Sequence, residues 1–430
     1  MRTQKTFIVL LLVIALAVPL FSTSAQEDLS GKTISVFAGW TDETEVARVE
    51  DGFAIFEEQT GADVQYTGSS DFTTLFQTRV QAGDVPDVAC FPQPGLMAQY
   101  VDEALDLNSI MDEAYLQGQY AQAWLDMATI NGKLIGLWHR VTVKSLVWYS
   151  PSAFATYGYE IPETWDELIA LSDQMVADGF TPWYAPIESG GATGWVGSDW
   201  IEDILLRTTS LENYDAWTVP QYKGLERLPF TSPEVKRAFE LMGQIMLNED
   251  YMFGGTEAIL GVSFFDSGVP LLQDPPDALL VKQGSAMPQW LDPNPTVGPD
   301  GDLMYFYFPP IDEEYGRPVL VAGDVCAIFN DRPEVREFAK FLATAQVLEP
   351  WVKAGGALSP HTDVDLDWYP AVDRGVAEIL ANATSFRFDG GDLQPGPVGS
   401  GSFWVGIVDY ISGDDLDTVL TEIDAAWPEE

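Results

Sequence analysis

Two cysteines and two histidines in 430 residues leave little room for a disulfide framework or a zinc site, so any metal would need oxygen ligands. Basic residues are scarce as well. The 21 Lys plus Arg face 66 Asp plus Glu, a formal net charge of -45, and such a field repels nucleic acid and anionic membrane surfaces. No internal repeat and no low-complexity tract is found. What is present in quantity is apolar: 46% hydrophobic and 12% aromatic residues exclude a disordered chain. At roughly 100 to 200 residues per domain, the length predicts two or three domains, each with a full core.

Arg2 and Lys5 precede an apolar run from Phe7 to Phe21, and Ser22-Thr23-Ser24-Ala25 supplies small residues before Gln26. This pattern reads as a cleaved secretory leader over residues 1–25. The run is shorter than the roughly 20 residues needed to cross a bilayer, which argues against a permanent anchor. No cysteine stands at the cleavage site to carry a lipid, so the mature chain is expected free in the periplasm or outside the cell. Cys90 and Cys326 lie in apolar runs that read as buried strands, and both are expected unpaired.

Beyond Gln26, short β-rich runs alternate with capped amphipathic helices, which predicts an α/β fold with a largely parallel sheet. Thr33 to Phe37, Asp63 to Tyr66 and Val85 to Phe91 read as strands. Between them stand a helix opened by Asp42 and stopped near Gly61, and a second helix capped by Asp71. Ligands of such doubly wound sheets lie beyond the carboxyl ends of the strands, where Trp40 and Asp71 fall. A capping box at Thr164 to Glu167 opens a helix ending at Gly179, and Thr181 to Pro186 follows as a strand. A further helix starts at Ser232, the stretch from Phe253 to Pro310 reads as irregular loops, and Val319 to Phe329 reads as a strand. The last helix runs from Asp415 to Trp427.

The run Asn131-Gly132-Lys133-Leu134-Ile135-Gly136, then Ser145-Leu146-Val147-Trp148-Tyr149 and Pro162-Glu163-Thr164-Trp165-Asp166-Glu167-Leu168, resembles the family 1 extracellular solute-binding proteins. These are sugar receptors of ABC importers. Gly323-Asp324, Arg332 to Phe338 and Gly355 to His361 continue the likeness along the chain. The segments Gly190 to Asp203 and Gly399 to Trp404 bring it nearest the α-glucoside receptors. Trp138-His139-Arg140 departs from the family's usual residues there.

The resemblance implies a type II periplasmic-binding-protein fold, two discontinuous α/β lobes joined by a hinge and crossed near Val141, Phe308 and Pro360. Lobe 1 would take residues 26–140 and 309–359, and lobe 2 residues 141–308 and 360–430. It further implies a monomer that needs no cofactor, performs no catalysis, binds a small saccharide and delivers it to a membrane permease.

A neutral sugar presents C–H ring faces and a rim of hydroxyls, so its receptor needs flat aromatic rings beside planar hydrogen-bonding groups. Trp40 with Glu43, Trp195 with Asp199 and Trp200, Trp290, and Phe403 with Trp404 offer that combination in loop-like segments. Asp71, Trp138, Gly323, Asp324 and Arg387 complete the candidate set. Trp124, Trp148, Trp165, Trp351 and Trp427 sit at helix or strand positions and read as packing residues, while His139 and His361 read as structural hydrogen-bonding groups. Two other readings compete: a polyamine receptor with carboxylates in an aromatic box, and a secreted glycoside hydrolase with paired carboxyl groups. Asp363, Asp365 and Asp367 alternate but lack the glycine and distal Glu of a calcium loop.

Overall fold

Five of the six residues of the strand Thr33–Ala38 (β1) are wholly or partly buried in the computed structural model, which describes residues 28–428. The chain then turns into the helix Glu43–Thr60 (α1), whose cap is the Asp42 carboxylate accepting the N–H groups of Thr44 and Glu45. Val49, Phe53 and Phe56 recur at helical spacing and face inward, and Gly61 ends the helix in the left-handed conformation. Gly52 lies against another segment: a Cβ there would stand 2.2 Å from the Val347 carbonyl oxygen. Gly52→Ala is therefore expected to lower unfolding stability by about 1–3 kcal/mol, readable as a urea midpoint shift.

The strand Asp63–Gly68 (β2), the helix Phe72–Ala82 (α2) and the strand Val88–Phe91 (β3) complete the opening. β1 pairs in parallel with both β2 and β3, as the alternation predicts. The rest of this six-stranded sheet is mixed. Strand Pro318–Ile328 enters antiparallel to β3, carries Ser385–Phe388 in parallel on its far side, and pairs antiparallel with Leu137–Val143. A separate three-stranded antiparallel sheet orders Val281–Lys282, Leu146–Tyr149 and Met304–Tyr307.

The antiparallel entry of Pro318–Ile328 corrects one expectation. Cys326 falls directly opposite Cys90, and the two form a disulfide. An apolar strand setting suits a buried thiol and a buried cystine equally, and the partner comes from a strand 236 residues away. Thr181 to Pro186 is also not a strand: Pro182 and Pro186 lack the N–H a ladder needs, and Trp183 makes only isolated bridges to Met252 and Leu280. Within the stretch expected to be irregular, Gly255–Gly261 forms a helix.

The buried apolar residues fall into two cores. One gathers β1 to β3, α1 and the central sheet strands, with Trp138, Phe338 and Trp351 among its largest members. The other gathers the helices Trp165–Ala177, Trp195–Leu206, Pro233–Met246, Trp404–Ser412 and Leu416–Ala425. The small three-stranded sheet lies between them, turning Trp148 and Tyr305 to the first core and Val147 and Phe306 to the second. Trp124, Trp148, Trp165 and Trp351 are buried, and Trp427 packs half-buried on the second core. Among the described residues no helix is long and apolar enough to cross a membrane. The leader pattern lies outside them.

Candidate functional site

The carboxyl ends of β1 and β3 open onto a cavity of about 300 Å³, whose other walls come from segments around Trp195, Trp290 and Trp404. On the first wall, Tyr66 donates its hydroxyl proton to the Trp40 carbonyl at 2.6 Å and stacks on the Trp40 ring. His139 and Trp351 pack around the same indole, so Trp40 is held firmly against the cavity.

Arg140 projects from the strand Leu137–Val143 opposite Asp324, with which it shares the sheet register. Its Nε donates to Asp324 and its Nη1 to Glu45 at 3.0 Å, while its guanidinium lies 4.3 Å from the Trp351 ring centre. Burial opposes this positive charge, but the Asp324 and Glu45 carboxylates outweigh it and raise the pKa above the ordinary arginine value. The close approach needs Gly323, where a Cβ would stand 2.1 Å from the Arg140 carbonyl oxygen.

On the facing wall, Lys144 Nζ donates to Asp199 at 2.8 and 3.0 Å and lies 4.3 Å from the Trp195 ring centre. Burial lowers the affinity of Lys144 for its proton, yet Asp199 and Asp389 together raise its pKa. Burial drives Asp199 the other way, up to about 7, against the pull of Lys144. Phe264 meets both Trp195 and Trp290 edge to face, which fixes the two indoles relative to each other.

Asp199, Glu202 and Asp389 bring carboxylate oxygens within 4.8 Å of one another, the spacing of a metal site. Most of their oxygens are already engaged. Lys144 occupies Asp199, and the backbone N–H groups of Gly390 and Gly391 fill both Glu202 oxygens at 2.8 and 2.9 Å. Burial, reinforced by Asp389 and Asp199, pushes Glu202 well above the usual carboxylate range. This cluster, whose Asp389 reaches the cavity wall, is held by these bonds and does not suit a cation.

Of the residues singled out from the sequence, Trp40, Trp195, Trp290, Gly323, Asp324 and Trp404 line the cavity together. Asp199 stands just behind Lys144. Glu43 and Asp71 are exposed at the first turns of α1 and α2, away from the lining. Trp138, Trp200 and Phe403 are core residues. Trp138 donates its indole proton to the Trp124 carbonyl at 2.7 Å, Trp200 packs edge-on against Trp183, and Phe403 packs on Trp217. Arg387 is held by both oxygens of Asp215 at 2.6 and 3.0 Å, beside a different cavity of about 500 Å³.

The cavity also contains Glu45, Arg140, Lys144, Asp389 and Phe264, which the sequence reading did not single out. Of the histidines, His361 bonds the Tyr120 hydroxyl and Ser359, whereas both ring nitrogens of His139 are buried without a hydrogen-bond partner among the described residues. Burial holds each imidazole at about 3. The alternating acids at 363 to 367 are used locally, Asp363 accepting the Ala345 N–H and Asp365 that of Asp367.

Known proteins resemble this chain in sequence and in fold. The chain is 44% identical over 384 residues, 89% of each chain, to the osmoprotective compounds-binding protein GgtB of Synechocystis sp.. It is 39% identical over 414 residues, 93% of this chain and 88% of the other, to the alpha-glucosides-binding periplasmic protein AglE of Rhizobium meliloti. The bacterial solute receptor AcbH superposes with a TM-score of 0.76 at 19% identity over 92% of this chain and 98% of its own, a likeness of fold. Residues 38–349 match the profile of one family throughout, so the chain belongs to the bacterial extracellular solute-binding proteins.

Proposed function

We propose that this protein is the ligand receptor of a carbohydrate ABC importer, which takes a small neutral α-glucoside into the cavity between two lobes and presents it to the membrane permease. The observation that carries this reading is the meeting of Trp40, Trp195, Trp290 and Trp404 with several carboxylates around one cavity. Indole faces suit the C–H faces of a sugar ring, and the carboxylates beside them suit its hydroxyls. The relative named for α-glucosides supports the same solute class.

A polyamine is less well served. Arg140 and Lys144 already pair with Glu45, Asp324 and Asp199, so a cationic ligand would meet resident positive charge beside the carboxylates it needs. For the hydrolase reading, the cavity acids Glu45 and Asp324 are tied to Arg140, where they serve hydrogen bonding better than proton transfer. We therefore assign no catalytic step and no cofactor.

On this reading, lobe 1 comprises residues 26–140 and 309–359 and lobe 2 residues 141–308 and 360–430, and the ligand favours the closed state because both lobes touch it. The chain works as a monomer outside the cytoplasmic membrane, with residues 1–25 as its export leader and no nucleic-acid partner.

A thermal-shift panel of mono- and disaccharides, polyamines and amino acids tests the proposal, since a ligand selective for the native state raises the melting temperature. A saccharide is expected to give the largest shift, and Trp195→Ala to remove it while the unliganded melting point moves little, because Trp195 is only half-buried. A shift given by polyamines alone would overturn the saccharide reading.

A further inference from the structure

A second cavity, of about 220 Å³, shares no lining residue with the first. The two are neighbours along the chain: Arg48 stands one turn beyond Glu45 on α1, and Gln289 directly precedes Trp290. The Gln289 amide fixes Arg48 in place. Its Oε1 accepts from Arg48 Nη1 and its Nε2 donates to the Gly355 carbonyl, whose oxygen lies 3.4 Å from Arg48 Nη1.

Two opposite charges face this cavity without meeting. Among the described residues, Arg48 Nε and Nη2 carry no bond and no carboxylate pairs with the guanidinium. Asp373, only 8% exposed, stands in the first turn of the helix Ala371–Ala381 and gives Oδ1 to the Gly356 N–H at 2.8 Å. Its Oδ2 has no bond among the described residues and lies 2.9 Å from where a Cβ on Gly355 would stand. Gly355 therefore separates an open guanidinium fork from an open carboxylate oxygen. Burial is the largest influence on both, lowering the Arg48 pKa and raising that of Asp373, as for charges drawn from water without a full partner.

Such a pair is complementary to a solute that carries both signs. A simple ion would satisfy one group and leave the other, and a neutral solute would compensate neither. The planar fork of Arg48 suits a carboxylate, and Asp373 Oδ2 can accept from an ammonium. The volume falls below the roughly 300 to 1,000 Å³ of drug-sized ligand cavities, which limits the occupant to a few heavy atoms. We infer that this cavity is a second ligand site, for a compact zwitterion such as an amino acid with a small side chain, its carboxylate on Arg48 and its ammonium on Asp373. The inference stands apart from the saccharide reading, because no residue of the first cavity takes part in it.

Isothermal titration of the full chain with glycine, L-alanine and L-proline, beside acetate and methylammonium, tests it. The tightest amino acid is expected to bind at least about 10-fold more strongly than either single-charge ion, since it makes charge-assisted bonds at both ends. Arg48→Met and Asp373→Asn are each expected to weaken that binding by about 10-fold or more. The asparagine keeps an acceptor for the Gly356 N–H, so the melting temperature of Asp373→Asn should stay within a few degrees of the parent's and its lost affinity reports the charge. Trp195→Ala, which alters the first cavity, should change amino-acid affinity by less than about threefold. The inference fails if none of the three amino acids binds at about 10 mM, or if acetate or methylammonium binds as tightly as they do. It fails too if Trp195→Ala abolishes amino-acid binding while Arg48→Met leaves it intact, which would put the zwitterion in the first cavity.

Discussion

Arg140→Met is expected to destabilise the unliganded protein by about 3–5 kcal/mol, the usual cost of removing one partner from a buried ion pair. The cause is what stays behind. Asp324 and Glu45 have side chains only 6% and 15% exposed, and without the guanidinium they become uncompensated charges against the Trp40 wall. Urea unfolding would show the loss as a lower midpoint with an unchanged slope. A second variant separates charge from packing. Replacing Asp324 and Glu45 by apolar residues of similar volume in the Arg140→Met background is expected to return much of the stability, because no buried charge then lacks a partner. Saccharide binding should not return with it, since the carboxylates that face the cavity are gone. A midpoint shift under about 0.5 kcal/mol for Arg140→Met alone would show that water already compensates the two acids.

The same triad shows why the sequence disclosed the fold more fully than the site. α1 was legible in detail because its signals are local: Asp42 at the cap, apolar residues at helical spacing, Gly61 at the stop. Trp40, Trp195, Trp290 and Trp404, which line the cavity, were singled out in the sequence because each stands in a segment that reads as a loop. Arg140 and Lys144 were passed over although a signal existed. Each is a cation within or next to the nearly continuous buried run Leu137–Val143, and such residues are seldom buried unless paired. Their partners lie far along the chain, at Asp324 and Asp199, so only the folded register shows what neutralises them. Trp200 misled for the complementary reason. The segment Gly194 to Asp203 looks polar and loop-like, yet it folds as the helix Trp195–Leu206 with Asp199, Glu202 and Asp203 all buried. Lys144, two backbone N–H groups, and Arg207 with Lys282 satisfy these acids, and none of that is local information.

Removing the disulfide through Cys90→Ala with Cys326→Ala is expected to lower unfolding stability by about 2–5 kcal/mol. The bond joins the central strand β3 to Pro318–Ile328 and closes a loop spanning 236 residues of sequence, so its loss frees a large part of the denatured chain. The native state loses little, because the ladder from Val88 to Phe91 still pairs with Val325 to Ile328. The cavity should feel it weakly. Phe91 leads directly to Pro92 and Gln93 on the cavity wall, and Asp324 lies two residues from Cys326, but their positions are set by the strand register and by Arg140. The expected pattern is therefore a large fall in the denaturation midpoint with saccharide affinity held to within about threefold. Because Cys90 and Cys326 are each about 1% exposed, reductant alone should leave the native protein oxidised, and reduction should begin only where denaturant opens the sheet. A double variant as stable as the parent would mean that contacts in the unfolded chain already restrain the segment between β3 and Pro318. A large loss of affinity at unchanged stability would instead make the disulfide part of the cavity's own architecture, fixing the wall that carries Gln93 and Asp324 where the sheet alone cannot.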